Sequence, residues 1–146
     1  MIQIETLHAY LNEAISKLQT LISYTQHDIE DVKVANHEMV FERGVLKAST
    51  IREFELSKSM IDQEMLQLTQ KYPHLKLTEI LDEKANILLG DMRKTLEELK
   101  QINTHYARMV FAVSEFYTSI ADKLIPREKA DYKSRVEQSQ LLRVQA

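Results

Sequence analysis

The sequence predicts an all-α protein: an elongated antiparallel bundle of three long helices with a flexible C-terminal tail. Three observations predict it. Glycine and proline each occur only twice in 146 residues, against a usual share of roughly 7% and 5%, which disfavours turn-rich sheet folds and loop-built active sites. Apolar residues recur at spacings of three and four over long stretches, the signature of a buried helix face. Pro73 and Pro126 stand where those patterns stop, and proline cannot continue a helix without losing a backbone donor. Residues 1–125 are therefore expected to form one helical domain and 126–146 a tail.

The first helix is expected from about Ile4 into the high twenties. Leu7, Leu11, Ile15, Leu18 and Ile22 form its stripe, and Ala14 and Leu21 widen it. That width suits a helix facing two neighbours rather than a narrow two-stranded seam. A link is expected around Gln26-His27-Asp28, with Asp28 capping a new helical turn and Asp31 adding favourable charge near the positive end. The alternative is a helix that continues with a bend.

The second stretch runs from about Asp28 to Lys71. Its apolar positions, among them Val32, Met39, Val40, Leu46, Ile51, Phe54, Ile61, Met65, Leu68 and Tyr72, do not hold one frame, and Gly44 lies inside it. Such drift predicts imperfect supercoiling, a kink or an exchange of packing partner. The segment Tyr72 to Leu77 is the clearest break, because Pro73 drives Tyr72 out of the helical region. Thr78 then serves as the expected N-cap of the third stretch, with Glu79 and Asp82 in its first turn.

That third stretch reaches Ile125, with a hinge expected at Gly90-Asp91. Met92, Leu96, Leu99, Asn103, Tyr106, Val110, Val113, Tyr117, Ile120 and Leu124 alternate spacings of four and three, the a/d positions of nearly five heptads. A straight helix over 78–125 would measure about 70 Å. In the tail, Tyr132, Val136, Leu141 and Leu142 are too sparse to bury a fixed face and suit a segment that orders on a partner.

Composition narrows the function. Absence of cysteine excludes disulfides, thiol nucleophiles and sulfur-ligated metals. No run approaches about 18 apolar residues, and the N-terminus lacks the basic start and apolar core of a signal peptide, so a soluble, cytoplasmic protein without membrane insertion is expected. The net charge is −3. It is spread as −4 over residues 1–31 and +2 over 126–146, which disfavours a nucleic-acid surface.

Candidate chemistry is sparse. Glu5 and His8 have the i, i+3 spacing of di-iron bundles, but no second such pair exists. His105 with Arg108 at i+3 is the best phosphotransfer candidate, and Ser114 and Ser119 have no nucleophile elbow around them. No catalytic residue, cofactor or metal is expected, and the protein reads as a non-enzyme. Asn103 interrupts the apolar seam, where an amide can select register or partner number. Met109, Phe111, Phe116 and Tyr117 crowd the same helix with more apolar surface than one seam buries, so a second face is left for core or partner.

The stretch Leu96-Glu-Glu-Leu99-Lys-Gln-Ile102-Asn103, the apolar run from Val110 to Leu124, then Pro126 and Tyr132, together with the acidic segment Asp28-Ile-Glu-Asp-Val32, resembles the flagellar type III export chaperones of the FlgN family over residues 1 to about 133. In place of the glycines that often flank the family's tail tyrosine, this chain has Ala130-Asp131-Tyr132-Lys133-Ser134. The resemblance implies a cytoplasmic chaperone without enzymatic activity. Such a protein binds the C-terminal helices of the hook–filament junction proteins, keeps them unassembled, and delivers them to components of the membrane export gate. It also implies that the last helix and tail hold the client, and the amide in the seam, the surplus apolar face and the tail anchors make Asn103, Met109, Phe111, Phe116, Tyr117, Tyr132, Leu141 and Leu142 the expected partner-binding residues. The alternatives from other classes are a structural or scaffolding coiled-coil protein and a regulatory, histidine-phosphotransfer-like helical bundle.

Overall fold

The computed structural model describes residues 2–124, and the tail positions Tyr132, Leu141 and Leu142 lie outside them. Regular structure among the described residues is helical throughout: α1 (Glu5–Lys33), α2 (His37–Lys71), α3 (Leu77–Ile80) and α4 (Glu83–Leu124).

The helix α1 does not stop at residues 26–28 as expected. It runs on through Lys33, burying Leu7, Leu11, Ala14, Leu18, Leu21, Thr25, Asp28, Ile29 and Val32 along one broad stripe. Asp28 caps nothing; its side chain turns into the interior, where two cations hold it. The helix ends instead in a Schellman motif. The amide of Ala35 donates to the Val32 carbonyl at 3.2 Å and that of Asn36 to the Asp31 carbonyl at 2.8 Å, and Ala35 sits in the left-handed region with φ 58°. Glycine normally fills this position, since a Cβ costs roughly 1–2 kcal/mol there. Ala35→Gly should therefore stabilise the fold by about 1 kcal/mol, read as a rise in the urea midpoint with unchanged slope. A fall would place the strain elsewhere.

The helix α2 also differs from expectation. Its inward stripe is regular: Val40, Arg43, Lys47, Thr50, Phe54, Ser57, Ile61, Met65, Leu68 and Tyr72 are all buried or half-buried, at spacings of three and four. No kink is needed. The frame is lost only when apolar residues alone are counted, because four members of the stripe are polar, while Phe41, Val45, Leu46, Leu56 and Leu66 face outward. A Cβ added at Gly44 would meet no atom within 4 Å, so Gly44→Ala should add up to about 1 kcal/mol to stability, measurable in the same titration.

Pro73 breaks the chain as expected. The Tyr72 amide closes α2 on the Leu68 carbonyl at 3.0 Å, and the Leu75 amide donates to the Tyr72 carbonyl at 3.1 Å. The single-turn α3 follows, stapled by the Lys76 amide donating to Glu79 Oε1 at 3.3 Å and pinned by the buried Ile80. Thr78 lies inside this turn and is not the cap of the long helix. That role belongs to Asp82, whose Oδ1 accepts from the Ala85 amide at 2.8 Å, the side-chain-to-N3 geometry of an N-cap. From there α4 continues for 42 residues, passing Gly90 without a hinge.

Packing centres on α1, which contacts both α2 and α4, whereas no Cα of α2 comes within 8 Å of one in α4. One apolar cluster joins Ile4, Leu7, Leu11 and Ala14 of the α1 end to Ile61, Leu68, Ile80 and Ala85. A second joins Ile29 and Val32 to Val40, Tyr106 and Val110. Beyond Val110 no described residue of α4 is buried, although the helix rises about 21 Å further to Leu124.

Candidate interaction surface

The heptad seam of α4 is used only in part. Tyr106 and Val110 are buried, but Leu96, Asn103 and Ile120 are exposed, and Thr95 is buried in place of Leu96. A strict seven-residue pattern drifts by about 20° per heptad on a straight helix, so a stripe that faces α1 at its middle turns away at either side. Asn103 accordingly lies at the rim and not inside an apolar seam. Its Oδ1 is 3.5 Å from the hydroxyl of the buried Thr25, and that hydroxyl donates its proton to the Leu21 carbonyl at 2.9 Å.

The remaining expected partner residues within the described chain divide. Met109 is half-buried against the second core cluster. Phe111 and Phe116 are 52% and 63% exposed. Tyr117 is half-buried and meets the Phe116 ring edge-on, with centroids 5.9 Å apart and planes at 60°, a favourable arrangement for two quadrupoles. The end of α4 therefore presents aromatic surface beyond the core.

A second apolar patch lies at the α2 start and was not expected. Phe41 is 77% and Val45 65% exposed, one helical turn apart, with Val34 and Leu46 exposed nearby in the chain. The i, i+4 spacing of Phe41 and Val45 was readable, but nothing in the sequence says that Arg43 and Lys47 point inward in their stead.

Behind that patch lies a charge cluster. Asp28, 1% exposed, receives Arg43 Nη1 at 2.6 Å and Lys47 Nζ at 2.9 Å, and Arg43 Nη2 reaches Asp31 at 2.8 Å. Lys47 Nζ also stands 5.0 Å from the centre of the Tyr106 ring, a cation–π contact that links α2 to α4. Burial disfavours the Arg43 charge, yet the hydrogen bonds to Asp28 and Asp31 outweigh it and hold its pKa above the ordinary arginine value. These half-buried cations have their counter-charges and are not open to a ligand.

At the opposite end, His8 Nε2 lies 2.9 Å from Asp82 Oδ1, so His8 ties α1 to the residue that caps α4. Among the described residues no group of three acidic or histidine side chains is placed to hold a metal ion. The hydrogen bond from His8 and that from the Ala85 amide hold the Asp82 carboxyl below the ordinary aspartate range. A depressed folded pKa contributes stability above the unfolded value that is lost as pH falls through the folded one. The stability gap between the native chain and Asp82→Asn should thus be present at neutral pH and close as pH drops through and below the ordinary aspartate range, measured by urea denaturation across pH. A gap independent of pH would mean that the negative charge of Asp82 contributes nothing to the fold.

A shallow groove of about 340 Å³ between α1 and α2 is lined by Tyr10, Lys17, Glu53, Leu56 and Met60. Lys17 and Glu53 in its lining are paired with each other at 2.8 Å. His105 and Arg108 are both exposed on α4. No helix among the described residues is long and apolar enough to cross a membrane. No protein-family model, curated protein or solved structure matches the chain.

Proposed function

We propose that this protein is a cytoplasmic export chaperone of the flagellar type III system, similar to the FlgN family, acting by reversible binding without catalysis, metal or cofactor. Its clients are the hook–filament junction proteins, held by their C-terminal helices until delivery to the export gate. The observation that carries the reading is the end of α4, which outruns the core while keeping Phe111 and Phe116 exposed. Apolar surface presented on a preformed helix is what an amphipathic client helix can cover, with main-chain hydrogen bonds already satisfied on both sides. Covering the client's own apolar helices removes the driving force for premature assembly.

The same reading takes the architecture as an elongated antiparallel three-helix bundle with α1 at its centre. Supporting this, one cluster combines the α1 start with the α2 end, and the other combines the α1 end with the α2 start. Isothermal titration of the full chain with the C-terminal helical segment of a junction protein should give saturable binding at one fixed stoichiometry. Absence of binding, with self-association growing with concentration instead, would transfer the protein to the scaffolding class.

A further inference from the structure

We propose that the outer face of α2 around Phe41 and Val45 is covered, in the free protein, by the chain's own C-terminal segment, residues 127–146. The proposal does not depend on the chaperone reading.

The face is built for an apolar, basic occupant. Phe41 and Val45 are the most exposed large apolar side chains on α2, and water contact with them is unfavourable in proportion to the area exposed. Glu38 and Glu42 stand exposed within one turn of them. The bases nearest in α2, Arg43 and Lys47, offer this face little compensation, because both turn inward to Asp28 and Asp31. Negative charge around an apolar centre is left for an incoming segment of the opposite sign.

The C-terminal segment has that chemistry. Residues 127–146 carry five bases against three acids, with Tyr132, Val136, Leu141 and Leu142 as apolar groups. It also starts in the right place. Val40, the neighbour of Phe41, shares a core cluster with Val110, and α4 ends at Leu124, about 21 Å further along its axis. An extended chain covers up to about 3.3 Å per residue, so seven residues after Leu124 are long enough to cover the distance along the axis, and the fifteen that follow, with up to about 50 Å of reach, are long enough for the step across to Phe41. Tethering gives such a segment an effective concentration in the millimolar range, enough to make a weak contact persistent.

The chain has no native cysteine, so a single spin label can be placed by Ser139→Cys in the full-length protein. In the ¹⁵N-labelled, spin-labelled chain the amide signals of residues 37–48 should lose more than half of their intensity, while those of 62–70 keep theirs. Combining the label with Phe41→Ser and Val45→Ser should restore the signals, and the gentler Glu38→Lys with Glu42→Lys should restore them in part without touching an apolar group. Undiminished signals around Phe41 would overturn the proposal. So would broadening that appears equally when an unlabelled ¹⁵N chain is mixed with spin-labelled chain, since the occupant would then be a second copy.

Discussion

Asp28→Asn should lower the folding free energy by about 3–5 kcal/mol, because it strips the buried counter-charge from two cations at once. Arg43 keeps Asp31, but Lys47 loses its only carboxylate among the described ion pairs and is left over the Tyr106 ring in a site where water is largely excluded. The effect is the cost of an uncompensated charge, not the net worth of the cluster. Replacing the whole set with apolar groups (Asp28→Leu, Arg43→Met and Lys47→Met together) should therefore recover most of the loss. Urea denaturation followed by circular dichroism separates the cases. An Asp28→Asn change under about 0.5 kcal/mol, the range of ordinary surface substitutions, would mean that the cluster is hydrated in solution.

Phe111→Ser and Phe116→Ser should each weaken binding of a junction-protein C-terminal segment by about tenfold or more, since burying such a ring is worth roughly 1.5–3 kcal/mol. Stability should move by no more than about 0.5 kcal/mol, because both rings already face water. Five residues apart on a helix, they point about 140° apart, so one client helix cannot cover both. The two losses should add in the double variant, as for sites that share no partner. Titration calorimetry measures the affinity, and urea denaturation controls for the fold. Full affinity in the double variant would remove the end of α4 from the binding surface and leave the α2 patch as the place to look.

Some of this was legible from residue order because it depends on local chemistry. The break at Pro73 follows from a missing amide donor, and the helical character of the long stretches follows from apolar recurrence and the near absence of glycine and proline. The end of α1 was not legible, because the left-handed position is filled by Ala35 and carries no glycine to announce it. The cap of α4 was misplaced for a related reason. Thr78 and Asp82 are both competent caps by residue type, and the choice was made by Ile80, whose burial folds the intervening residues into a turn of their own.

The sequence by itself determined the fold class, the division at Tyr72-Pro73, and the broad stripe of α1 from Leu7 to Leu21, all of which rest on the spacing of apolar groups along one helix. Only the tertiary structure decided which face of α2 points inward. Arg43 and Lys47 are exposed by default in any reading of composition, since a buried charge without a partner is too costly to keep. Asp28 lies fifteen residues from one and nineteen from the other, on a different helix, and only the pairing of α1 with α2 brings the opposite charges together. Once they meet, the inward stripe is fixed as a polar one, and Phe41 and Val45 are left facing water.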